Sequence, residues 1–148
     1  MKNTYYNFES SSDSLRFEFD SVGSQKQIRK VVEYTSIPQN PAIYNLDFGD
    51  LKADGTIDDL VVSNNKDMEM VLATVIQTIF VFFETKPQNT ILFLGSTESR
   101  TRLYQIVIAK NIDDMKNELQ IRGIRNEAVE DFVKNVNYDG FLINKKTL

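Results

Sequence analysis

Histidine, cysteine and tryptophan are all missing from these 148 residues, and the first two absences exclude the most. Without cysteine there are no disulfides, no thiolate metal ligands and no thiol nucleophile. Without histidine the chain lacks the usual general base near neutral pH, the Ser-His and Cys-His nucleophile pairings, and the commonest transition-metal ligand. Any chemistry must rest on Asp, Glu, Lys, Arg, Tyr, Ser or Thr. Long hydrophobic runs are scarce as well. The longest, Met68 to Phe83, is broken by Glu69, Thr74, Gln77 and Thr78, and reads as too short and too polar to span a bilayer. Met1 to Asn7 has no apolar stretch of the kind a signal peptide carries. The expectation is a cytoplasmic protein with no membrane partner. A net charge of −4 supplies no basic excess for general nucleic-acid binding.

What is present is ordinary for a globular protein: 41% hydrophobic and 26% charged residues, with ten Phe and six Tyr to fill a core. The length suits a single domain, taken as residues 1–148. Leu15, Phe17 and Phe19 alternate with Arg16 and Glu18, the pattern of a half-buried strand over 14–19. A turn at 21–24 and a returning strand over 27–35 complete a hairpin. The prolines at 38 and 41 mark a linker. Strands are expected over 42–48 and 56–63, joined at the Asp54-Gly55 turn signal. Residues 66–86 read as a long helix, apolar over most of its circumference except a stripe of Thr74, Gln77, Thr78, Val81 and Thr85. It should be the most buried element, with Ile79 and Phe83 in the core. A short strand over 90–94, a helix over 97–110, a turn of helix and a strand within 111–125, a helical turn over 127–133 and a closing strand over 138–144 follow. The order β-β-β-β-α-β-α-β-β predicts an α+β fold with a largely antiparallel sheet.

The richest segment for chemistry runs from Gly95 to Tyr104. A strand, a glycine hinge and a helix start present free amides that suit a phosphate or carboxylate. Ser96, Thr97 and Ser99 add hydroxyls, and Arg100 and Arg102 add cations in a position that the helix dipole disfavours. That tension predicts a negative partner, either a bound anion or a carboxylate of the fold. Arg100 shares a helix face with Tyr104 and is the expected ligand, with Arg102 in a fold-internal pair. The plainer reading is a capped helix whose arginines both pair with the acidic hairpin carrying Asp47, Asp50, Asp54, Asp58 and Asp59. Those carboxylates match no calcium-loop spacing and read as counter-charges, so no metal site and no cofactor are expected. Lys26, Arg29, Lys30, Lys110, Lys116, Arg122, Arg125, Lys145 and Lys146 are dispersed and read as solvated surface. With Tyr138 and Phe141 exposed beside them they would make a stacking platform for single strands.

Two resemblances add to this. Phe93-Leu94-Gly95-Ser96 followed by arginines resembles the Gly-Ser turn of nucleotidyltransferases. The next acidic pair, Asp113-Asp114, is adjacent and follows a helix, so that family's metal ligands are lacking. A resemblance over nearly the whole chain rests on Tyr44-Asn45-Leu46-Asp47-Phe48-Gly49-Asp50, on Asp58-Asp59-Leu60-Val61-Val62-Ser63-Asn64-Asn65 and on Gly95-Ser96-Thr97 with Arg100-Thr101-Arg102-Leu103-Tyr104. Val71 to Val75 and an ending with Phe132, Asn135, Asn137-Tyr138 and Phe141-Leu142 extend it. These blocks are similar to those of an uncharacterised family of small bacterial proteins with no established activity. The resemblance implies a bacterial, cytoplasmic, single-domain protein. It points to Asp47, Asp50, Asp58, Asp59, Arg100, Arg102 and Tyr104 without giving any of them a role.

The reading that emerges is a binding or interaction module rather than an enzyme. Its candidate anion site comprises Gly95, Ser96, Thr97, Arg100, Arg102 and Tyr104, with Asp47, Asp50, Asp58 and Asp59 as carboxylate partners. The expected partner is a small anionic ligand or another protein. The enzyme alternative is Mg-dependent phosphoester or nucleotidyl chemistry and needs two carboxylates converging near Gly95. Single-strand binding on the open sheet face is the third reading.

Overall fold

The computed structural model describes residues 5–23, 26–58 and 67–147, so Asp59 and most of the expected strand over 56–63 lie outside the described residues. The chain divides into two compact units, one of residues 1–34 and 47–85, the other of residues 35–46 and 86–148. Each combines strands with one helix, and the strands are mostly antiparallel, which makes the protein α+β as its sequence pattern predicts.

The first unit contains β1 (Glu9–Ser10), β2 (Arg16–Val22), the start of β3 (Gln27–Ile37), the end of β4 (Asn40–Leu51), β5 (Ile57–Asp58) and α1 (Met68–Thr85). Phe17, Phe19 and Ser21 of β2 face inward while Arg16, Glu18 and Asp20 face out, as the alternation requires. The outer row is tied by ion pairs: Arg16 to Glu18 and Glu33, and Arg29 to Glu9, Glu18 and Asp20. Gly55 carries φ +89°, which only glycine adopts without strain, and its amide donates to the Lys52 carbonyl to close the β4–β5 turn.

Helix α1 is buried along most of its length, with Val75, Ile79 and Phe82 fully inaccessible and Phe83 nearly so. Tyr34 stacks on Phe82 at 4.6 Å, and Phe17 meets Tyr34 edge-on. Thr74 and Thr78 of the polar stripe are buried too, while Thr85 is exposed. Thr78 shares a 2.8 Å hydrogen bond with the Tyr34 hydroxyl, and Thr74 accepts the Tyr6 amide while donating to the Met70 carbonyl. Short polar side chains that satisfy themselves on backbone and neighbours fit inside a core, which the helix wheel alone does not reveal. By length and composition α1 does reach the lower bound of a membrane span, contrary to the sequence reading, although ten of its eighteen residues are buried within the protein.

In the second unit the strands run in the order β4-β6-β9-β7-β8, with β6 (Thr90–Phe93), β7 (Leu119–Arg125), β8 (Ala128–Asp131) and β9 (Gly140–Lys145). β6 is interior, parallel to β4 and antiparallel to β9. The inward row of Ile91, Phe93, Leu119, Ile121, Phe141 and Ile143 is buried, as are Tyr104, Val107, Ile108 and Met115 of α2 (Glu98–Met115). Two expectations fail here. α2 runs on to Met115, with Asn111 bonding back to the Val107 carbonyl from the helix interior. Residues 128–131 form a strand where a helical turn was expected, since Asn126 and Glu127 both take positive φ and close a two-residue hairpin.

Candidate functional site

β6 ends at Phe93, and the chain turns through Leu94 and Gly95 into α2. Gly95 is required by close approach: a Cβ there would sit 2.5 Å from the Thr101 amide nitrogen and 2.6 Å from its Oγ1. The Gly95 amide donates to that same hydroxyl at 3.1 Å. Thr97 is the N-cap in extended conformation, and its Oγ1 accepts the Arg100 amide at 3.2 Å. This leaves the amides of Glu98 and Ser99 without a partner among the described residues. The fold thus builds the strand-Gly-helix junction that its spacing predicts.

The junction forms one wall of a cleft of about 330 Å³, lined by Gly95, Ser96, Thr97, Glu98, Thr101, Arg102, Tyr138 and Asp139. The cleft arginine is Arg102, which corrects the sequence-based choice of Arg100. Arg102 Nη1 donates to the Tyr138 carbonyl at 2.8 Å and to Gln105 Oε1 at 3.2 Å. Gln105 Oε1 also accepts the Tyr138 amide at 3.0 Å, and its Nε2 donates to the Val136 carbonyl. One buried glutamine therefore fixes both the guanidinium and the 136–138 segment. Arg100 is buried on the opposite helix face, with its guanidinium carbon 5.9 Å from the Tyr104 ring centre. Tyr104 in turn stacks on Phe93 at 4.3 Å, so Arg100 and Tyr104 do share a face, but it is the core face. The succession Arg100, Tyr104, Ile108 and Met115 among the buried residues of α2 carries that signal in the sequence.

Sequence reasoning missed Gln105 and Asp139, and it named Tyr138 for a stacking platform rather than for this cleft. The Tyr138 ring packs against Gly123, where a Cβ would approach it to 2.3 Å. Its hydroxyl donates to Glu130 Oε2 and accepts the Val133 amide. Burial, and then that carboxylate, push the Tyr138 phenol above its usual range. Tyr138 and Phe141 are both fully inaccessible, which removes the two aromatics named for a single-strand stacking platform.

The aspartates have other roles. Asp50 pairs with Lys30, whose position on the inward row of β3 leaves it only 4% exposed. The β4–β5 register sets Asp50 opposite Asp58, a like-charge pairing that the Lys30 ammonium offsets. Asp47 accepts the amide of Phe48, and Asp54 accepts the amide and hydroxyl of Thr56, which hold its carboxyl below the usual range. The carboxylates that line the Gly95 cleft are Glu98 and Asp139, both exposed. Among the described residues no three acidic side chains converge as a metal site would need.

A family model matches residues 2–146, and the chain belongs to that family, DUF6934, a family of unknown function. No curated protein and no solved structure matches the chain.

Proposed function

We propose that this protein is a small-molecule binding domain, and that the cleft at the start of α2 takes a ligand whose anionic group meets Arg102 and the open amides of the helix. The observation that carries this reading is the anchored Arg102. Two hydrogen bonds to acceptors of the fold hold its guanidinium at the cleft, while no carboxylate pairs with it among the described residues. A guanidinium held in advance loses little freedom when an oxyanion arrives. The α2 start adds the equivalent of roughly half a positive charge. Glu98 and Asp139 bring two negative charges to the same cleft. Together these favour a ligand of both signs, a phosphate or carboxylate with an ammonium or several hydroxyls beside it, over a bare polyanion.

The test is thermal stability with inorganic phosphate, glycerol phosphate and phosphoethanolamine. Phosphoethanolamine should raise the melting temperature most, and Arg102→Gln should abolish the shift. Mass action sets the scale at ~2.7 kcal/mol for a hundredfold excess over the dissociation constant. Equal shifts in native protein and Arg102→Gln, or no shift with any of the three, would rule the reading out. We place the protein in the bacterial cytoplasm, on the strength of its block resemblance.

A further inference from the structure

A second cleft, of about 540 Å³, lies on the second unit beside β7 and β9, lined by Gln120, Arg122, Asn144, Lys145, Lys146 and Thr147. These cations look dispersed in the sequence; the β7–β9 pairing sets Gln120, Arg122 and Asn144 on one face, while Lys145, paired with Leu119, and Lys146 border the cleft from the end of β9. Gln120 sits opposite Asn144, and Arg122 is one pair further along on the same face. The Lys146 amide donates to the Glu118 carbonyl, which keeps the chain beyond β9 alongside β7.

Three features of this cleft differ from a solvated surface. Among the described residues its lining holds three cations, two amides and a hydroxyl, and no carboxylate, in a chain whose net charge is −4. Arg122 is held in place: its Nη2 donates to Asn144 Oδ1 at 2.9 Å, and Asn144 Nδ2 donates to Thr90 Oγ1 at 2.7 Å. That bond to Asn144 is the one hydrogen bond of its guanidinium among the described residues, and its Nε is a buried donor with no acceptor. Asp131 stands opposite Arg122 in the β7–β8 register and makes no ion pair with it, and no described carboxylate pairs with Lys145 or Lys146. A guanidinium has five donors, and a half-buried one that uses so few is matched by an oxyanion that accepts two at once.

We infer that this cleft is an anion site distinct from the Arg102 cleft, built for a linked-phosphate group such as a diphosphate or triphosphate. Three cations set around a volume in the small-ligand range exceed what a single phosphate neutralises. Arg122 supplies the paired donors, Lys145 and Lys146 the remaining charge, and Gln120 and Thr147 hydrogen bonds at the edge.

The experiment is calorimetric titration of the native chain with inorganic tripolyphosphate at low salt. Arg122→Gln should weaken binding about tenfold or more, the loss expected for a charged hydrogen bond. The double variant Lys145→Gln, Lys146→Gln changes only exposed side chains and should weaken it at least as much. Arg102→Gln should leave it unchanged, which separates this site from the other cleft, and orthophosphate should bind far more weakly. The inference is overturned if tripolyphosphate does not bind, or if binding survives both sets of substitutions. It is equally overturned if Arg102→Gln abolishes binding, or if single-stranded oligonucleotides bind more tightly with increasing length, which would reassign the surface to nucleic acid.

Discussion

Replacing Gly95 with alanine tests the junction at its tightest point. The added methyl would meet the Thr101 amide nitrogen at 2.5 Å and the Arg100 carbonyl carbon at 2.9 Å, both backbone atoms of the first turns of α2. Backbone cannot swing aside as a long side chain can, so the helix start must move away from β6. Overpacking of this kind costs about 1–3 kcal/mol. The shift also stretches the 3.1 Å bond from the Gly95 amide to Thr101 Oγ1, worth a further ~0.5–1.5 kcal/mol. A total of roughly 2–4 kcal/mol follows, or about 5–15 °C in melting temperature for a chain of this size. Urea denaturation followed by circular dichroism measures it. The same displacement moves Thr97, Glu98 and Arg102 relative to Tyr138, so phosphoethanolamine should lose its stabilising effect even where the variant is fully folded. A Gly95→Ala protein with native stability and native ligand response would refute the packing argument and the placement of the site together.

Other perturbations probe the rest of the molecule. Phe83→Ala empties a site only 2% exposed and should cost ~3–5 kcal/mol in urea denaturation; an unchanged midpoint would contradict its core position. Asp50→Asn removes a carboxylate beside buried Lys30 and should lower the urea midpoint, with Lys30→Met added to it restoring part of the loss in a double-mutant cycle. Burial pushes the Tyr34 phenol well above its usual range. Above pH ~10 the unfolded chain gives up that proton while the folded chain keeps it, so stability must fall as pH rises. Tyr34→Phe should cost ~0.5–1.5 kcal/mol at neutral pH for the bond to Thr78, and should show a shallower alkaline decline.

Several elements were legible in the sequence because a strong local signal coincided with the tertiary outcome. The apolar run of α1, the Asp54-Gly55 turn and the Gly95 hinge belong to this group. The alternation of β2 also placed Phe17 and Phe19 correctly. Other features were hidden for identifiable reasons. The Asn126-Glu127 turn has two positive φ angles without a glycine to announce them, so the β7–β8 hairpin read as a helical turn. Lys30 falls in phase with Val32 and Tyr34 on β3, and its buried pairing was readable from that phase, but a lysine in a basic run was assigned to solvent. At the site, Arg100 and Arg102 differ by two helix positions, enough to send one to the core and the other to the cleft. Which one went where depended on Tyr138 and Gln105, and the contact between them spans 33 positions of sequence. The basic cleft is likewise invisible without the register that sets β9 beside β7.

The most direct measurement of the central claim is a backbone amide NMR titration with phosphoethanolamine. Arg102 and the open amides of α2 predict the largest shifts at Glu98 and Ser99, with further shifts at Arg102 and Asp139, all lost in Arg102→Gln. Shifts confined to other parts of the chain, or the same shifts persisting in Arg102→Gln, would contradict it.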